Sequence, residues 1–238
     1  SDSPTWGSGN NGADNTAIYA AFPSVTLAQT GSSVTLVSSV TFSGMATTQS
    51  APNARFAWGL FDATGQSDVT GWTGYLAGND TVDATGKENI WRKDAGNTSA
   101  YYASTNATAL TSYSLPAPAF LDGAYRLILT LTRNASGALD YQAALVRVAD
   151  NVVFASFTGS DLTPPTYTFN RVGFRSGDVL DTDSIQISQA QIIVNGIPQP
   201  PTVALTSPKP GAVFDAPASL SLSADAAVSN GTISKVEY

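Results

Sequence analysis

From Val34 onward apolar and polar side chains alternate in short runs, each closed by Gly, Asn, Asp or Pro, and no stretch carries a convincing helical period. Val34, Leu36, Val40 and Phe42 fall on one face of a strand, with Thr35, Ser39 and Thr41 on the other. In Arg55 to Asp62 the residues Phe56, Trp58 and Leu60 share a face opposite Ala57 and Gly59, so Trp58 is expected in a core. The same pattern predicts strands at 71–77, 87–94, 99–104, 110–115, 124–133, 139–148, 151–158, 167–175 and 184–194. Segment 125–148 reads as a hairpin, two β-rich runs flanking the turn signal Asn134 to Gly137. Many short antiparallel strands at this spacing predict an all-β sandwich.

Composition narrows the organisation and the chemistry. Residues 1–16 are rich in Gly, Asn, Asp and Ser and read as a flexible lead-in, with Trp6 a potential anchor. Residues 17–195 then form one sandwich. Three prolines in 196–201 (GIPQPP) cannot sit in a central strand and mark a linker, and 202–238 resumes the alternation as a separate unit. Charged residues make up only 12% of the chain, so its surface must be built largely from Thr, Ser, Asn, Gly and Ala. That balance associates with secreted or cell-surface bacterial modules. The net charge of -7, with only 11 Lys and Arg, argues against nucleic acid and anionic membranes as partners. No apolar run approaches the length of a membrane span.

Cysteine and histidine are both absent. Disulfide frameworks, thiolate metal sites and thiol nucleophiles therefore drop out together, as do Ser-His-Asp triads, His-ligated zinc and imidazole bases.

Two resemblances add to this reading. The run Thr202-Val203-Ala204-Leu205-Thr206-Ser207-Pro208 with Gly211, the turn Ala216-Pro217-Ala218 and the run Asn230 to Tyr238 resemble the first strands of bacterial immunoglobulin-like modules of secreted polysaccharide-degrading enzymes. The resemblance covers about the last fifth of the chain and implies a partial immunoglobulin-like β-sandwich, with the natural polypeptide expected to continue past Tyr238. Asn170-Arg171-Val172-Gly173-Phe174-Arg175 with Asp183 to Ser188, and Asp122 to Leu127 with Leu129, Leu131 and Arg133, are similar to strands of concanavalin-A-like and laminin-G-like jelly rolls. That likeness implies two large antiparallel sheets with a face or rim often used for sugars.

Catalysis is not expected. Glycosidases need two carboxylates across the scissile bond. Those of the laminarinase type carry them as Glu-x-Asp-x-x-Glu, whereas only Glu88 and Glu237 exist here, and the alginate-lyase pattern needs a histidine that the chain lacks. Asp181 and Asp183, two apart on one strand face, remain as an aspartate pair, though Asp is foremost a turn former.

Binding residues are sought where aromatics cluster in polar, turn-flanked sequence, because sugars stack on flat rings while polar side chains take their hydroxyls. Segment 71–102 supplies Trp72, Tyr75, Trp91, Tyr101 and Tyr102, with Asn89 and Arg92 as polar partners; ordinary core packing is the competing reading. Trp91 shares a strand face with Asn89 and Lys93, and Arg92 shares the other with Ile90, so one ligand cannot meet both Trp91 and Arg92. Calcium is the candidate cofactor, at Asp80 and Asp83 in the oxygen-rich loop 78–87, with Asp178, Asp181 and Asp183 as a second group. The expected function is a non-catalytic carbohydrate-binding module of a secreted multidomain polysaccharide-active protein, its partner an oligo- or polysaccharide. The alternatives are a structural or adhesive surface module, and a cryptic lyase or hydrolase using Asp181 or Tyr102.

Overall fold

The computed structural model describes residues 5–8, 16–46, 55–80, 87–96, 98–101, 107–114, 121–176, 180, 182–196, 202–213, 221–227 and 235. The chain divides into two units, Ser1–Asn195 and Gly196–Tyr238. The first holds twelve strands: β1 (Thr5–Ser8), β2 (Thr16–Thr26), β3 (Ser33–Ser43), β4 (Arg55–Asp62), β5 (Thr73–Asp80), β6 (Lys87–Lys93), β7 (Thr108–Ser114), β8 (Gly123–Arg133), β9 (Leu139–Arg147), β10 (Val153–Asp161), β11 (Thr168–Ser176) and β12 (Thr182–Asn195). They form two six-stranded antiparallel sheets, β1-β12-β3-β8-β9-β10 and β2-β11-β4-β5-β6-β7. The second unit pairs β13 (Thr202–Ser207) with β14 (Ser223–Ala227). Its expected third strand, 230–238, lies outside the described residues apart from Lys235.

The alternation places the core. Val34, Leu36, Val40 and Phe42 of β3 are fully buried, as are Tyr125, Leu127, Leu129 and Leu131 of β8 and Phe56, Trp58 and Leu60 of β4. Trp58 crosses between the sheets, its Nε1 donating to the Ile128 carbonyl at 3.0 Å, and Phe42 meets Phe56 edge-on at 5.3 Å. A buried indole N–H is expensive without an acceptor, so this bond suits Trp58 to the core as well as its apolar area does. The β8–β9 hairpin turns where predicted: Asn134 Oδ1 accepts the backbone N–H of Ser136 and Ala138, and Gly137 takes φ 84°.

Three expectations need correction. The lead-in contains a strand: β1 pairs Thr5 with Gln186 and Trp6 with Ile185. Thr16–Thr26 is a further strand, β2, pairing with β11 at the sheet edge, where Pro23 and an Ala-rich stretch hide the alternation. Residues 99–104 were expected as a strand, but Ala100 makes an isolated bridge to Thr70 and Tyr101 lies in a turn, while 102–104 lie outside the described residues.

Candidate functional site

Antiparallel partners directly opposite each other point to the same side of a sheet, and alternate residues to opposite sides. Trp58 and Leu60 face the other sheet, so Ala57, Gly59 and Phe61 face away from it. Through the pairings Gly59↔Leu76, Leu76↔Trp91, Gly78↔Asn89 and Gly74↔Lys93, this outward face also carries Asn89, Trp91 and Lys93. Through Phe61↔Arg171, Ala57↔Arg175 and Gly173↔Tyr19 it carries Arg171, Arg175 and Tyr19.

The outward face is roofed by aromatic residues from two loops. Trp72 ends the loop after β4, and Tyr101 ends the described part of the loop after β6; the Tyr101 N–H donates to the Val69 carbonyl at 2.9 Å, holding the loops together. The two rings stack, with centroids 4.8 Å apart and planes 18° from parallel. Trp72 Nε1 donates to the Asp68 carbonyl at 2.7 Å, and the Tyr101 hydroxyl donates to the Ile18 carbonyl at 2.7 Å, reaching across the sheet to β2. Below them lie Ala57, Phe61, Leu76 and Trp91, forming a second apolar cluster outside the inter-sheet core. Paired glycines make the room: a Cβ on Gly173 would run into the Tyr101 ring, and one on Gly59 would meet Phe61 Cζ.

The predicted sugar platforms are therefore corrected. Trp72 is 3% exposed, Trp91 7% and Tyr101 1%. They do come together, but as the filling between a sheet and its covering loops. Large aromatics bury about 150–250 Å² each, gross stabilisation of about 4–6 kcal/mol per ring, more than one exposed sugar stack returns. Asn89 is buried on the same face. Tyr102 and Asp83 lie outside the described residues, as does Asp181; of Asp80 only the backbone is described, paired with Arg55.

Tyr75 and Arg92 occupy the other face of the sheet, as alternation required for Arg92. The buried Asp161 carboxylate accepts from the Tyr75 hydroxyl at 2.8 Å and from Arg92 Nη1 at 2.9 Å. Arg92 also donates to Thr163 Oγ1 at 2.8 Å and sits 2.6 Å from Asp94 through Nε. Burial, reinforced by the Asp161 charge, drives the Tyr75 phenol far above its ordinary range, so it stays a neutral donor. This network ties β5 and β6 of one sheet to β10 of the other, which is a structural role. Asp183 is exposed on β12. Among the described residues no three carboxylates gather to hold a metal ion.

Lys93 is fully buried beneath the covering loop, its Nζ donating to the Ala100 carbonyl at 3.3 Å. Burial, and then the Arg175 charge, pull its ammonium down to about 8. Below that pH the ammonium is charged in both folded and unfolded chains and its burial opposes folding. Between about 8 and the ordinary lysine value the unfolded chain holds more protons, so stability at this site rises with pH. The Tm difference between the parent chain and Lys93→Met should therefore shift in favour of the parent as pH is raised from about 7.5 to about 10; a flat difference would contradict the assignment.

What the roof leaves open is Tyr19. It is 54% exposed, the one exposed aromatic ring among the described side chains. Two buried rings buttress it edge-on, Trp72 at 5.1 Å and 87° and Tyr101 at 6.1 Å and 81°. Arg171, half-buried one strand away, has its guanidinium carbon 6.0 Å from the Trp72 centroid. Neither Tyr19 nor Arg171 is among the binding residues expected from the sequence. β2 carries two aromatics, Tyr19 and Phe22, among three alanines, and its local pattern does not single out Tyr19.

With two six-stranded sheets and this face in view, comparison with solved structures is decisive for the architecture. The first unit is a legume-lectin-like jelly roll. Lectin II from Ulex europaeus is similar at a TM-score of 0.51 and 11% identity, over 80% of this chain and 87% of the lectin. The lectin UEA-II complexed with galactose gives 0.51 and 12%, over 80% and 85%. The potassium-bound carbohydrate recognition domain of Emp46p gives 0.46 and 13%, over 75% and 78%. Identities this low establish the fold alone. In the second unit, residues 201–238 match the sequence profile of the bacterial Ig domain. No curated protein sequence matches the chain.

Proposed function

We propose that the lectin-like unit is a non-catalytic glycan-binding module of a secreted or cell-surface, multidomain polysaccharide-active protein, with the Ig-like unit serving as spacer. The observation that carries this is the exposed Tyr19 ring, held rigid by Trp72 and Tyr101 on the outward face of a lectin-type sheet. A ring fixed by its neighbours offers a flat apolar platform to a pyranose without first losing rotamer freedom. Binding of this kind holds an attached enzyme near a polymer and raises its effective concentration. No helix among the described residues is long and apolar enough to cross a membrane. A calcium ion at Asp80 and Asp83 belongs to the same proposal on ligand chemistry alone, and no part of the binding argument runs through it.

Affinity electrophoresis through gels cast with plant, algal and microbial polysaccharides tests the proposal. At least one polymer should retard the chain, and Tyr19→Ala should weaken that retardation by about tenfold, as for a lost stacking platform worth about 1.4 kcal/mol. A second reading is favoured by the burial of Trp72, Tyr75, Trp91 and Tyr101: a structural or adhesive surface module with no glycan site. It predicts migration unchanged in every gel.

A further inference from the structure

We infer that the glycan is an acidic polysaccharide, bearing uronate carboxylates or sulfate esters, and that Arg171 takes the acid group of a sugar whose ring lies on Tyr19. This rests on the glycan-binding reading above and adds the ligand class.

The chain has 18 Asp and Glu against 11 Lys and Arg, so a face of the opposite sign stands out. Among the described side chains on the outward face of β2, β4, β5, β6 and β11 there are three cations, Lys93, Arg171 and Arg175, and no carboxylate. Asp68 in the covering loop turns its carboxylate to Thr70, accepting from its backbone N at 2.7 Å. Lys93 and Arg175 are covered, and they bias the potential of the face while making no contact with a ligand.

Arg171 differs from them in being half-exposed, and from Arg92 and Arg147, which are both ion-paired, in meeting no carboxylate among the described residues. Its Nη1 donates to the Asn170 carbonyl at 2.8 Å and reaches Asn170 Oδ1 at 3.5 Å, which fixes the guanidinium plane. No described residue accepts from its Nε or Nη2, and a guanidinium edge suits a carboxylate or sulfate. Arg171 pairs with Ala21, and Tyr19 pairs with Gly173, so the two side chains are diagonal neighbours on adjacent strands. That diagonal is about 7–8 Å between Cα atoms, within the span of one sugar residue and its acid substituent. The net charge of -7 repels a polyanion at long range, but at about 0.15 M salt that field is screened beyond about 8 Å and the local contact decides.

The test compares polygalacturonate with its carboxyl-reduced neutral form, and dextran sulfate with dextran, by affinity electrophoresis in about 0.15 M NaCl. At least one anionic polymer should bind about tenfold or more tightly than its neutral counterpart, and which one it is separates uronate from sulfate recognition. Arg171→Gln should lose about tenfold of that affinity without a matching loss on neutral polymers, Arg171→Lys should keep the preference for charge, and Arg126→Gln on the other sheet should change nothing. Equal binding of charged and neutral forms, or full anionic affinity in a folded Arg171→Gln chain, overturns the acidic-ligand inference and leaves glycan binding standing. No retention by any polymer, neutral or charged, overturns both.

Discussion

Asp161→Ala should lower the unfolding free energy by about 3–5 kcal/mol, because it takes from the partly buried Arg92 one of its two carboxylates and leaves the buried Tyr75 phenol without its acceptor. In the native chain the Asp161 carboxylate, 2% exposed, accepts from Tyr75 and Arg92 and from the Thr163 backbone N–H at 3.0 Å. Alanine offers none of these acceptors, and Arg92, with a side chain only 17% exposed, keeps Asp94 as its remaining ion partner. Asp161→Asn retains an acceptor oxygen and the shape, so its cost should be smaller, about 1–3 kcal/mol, from loss of charge. Urea denaturation of both variants checks this. Equal, small losses of under about 0.5 kcal/mol in the two would show that the network does not hold the sheets together.

Trp72→Ala should cost about 3–5 kcal/mol and should open the roof over the outward face. The indole stacks on Tyr101, meets Phe61 at 6.2 Å, supports Tyr19 edge-on and closes its own loop through Asp68. Removing it leaves a cavity flanked by Tyr101, whose ring then lies over Gly173 without its stacking partner. Because this cluster is distinct from the inter-sheet core around Trp58, the loss should surface as faster amide exchange in 63–72 and 94–101 while β3 and β8 stay protected. Uniform deprotection of both regions, or unchanged exchange in the loops, would contradict the division into two apolar layers.

Strand periodicity carried most of the fold. It put Trp58 in the core and separated Trp91 from Arg92 onto opposite faces, and the pairings Leu76↔Trp91 and Tyr75↔Arg92 have them so. Period two says which face a residue takes; it is silent on what later covers that face. For Trp72, Trp91 and Tyr101 the cover comes from loops separated in sequence, meeting through the Thr70↔Ala100 bridge, and no local pattern announces such a contact. The same limit hid Tyr19, whose strand mixes three alanines with Pro23, and whose exposure follows from where the roof ends. Tyr75 sat among the expected sugar contacts because its partner, Asp161, lies 86 residues away on the opposite sheet.

The most direct test of the Tyr19 surface is a map of backbone amide chemical-shift changes as a retarding polysaccharide, cut to soluble oligomers, is titrated into the isotope-labelled chain. The changes should concentrate at 17–21 and 171–175, the paired segments of β2 and β11 that present Tyr19 and Arg171. Changes centred on the outer side of β3, β8 and β9 instead, or confined to the Ig-like unit, would contradict it.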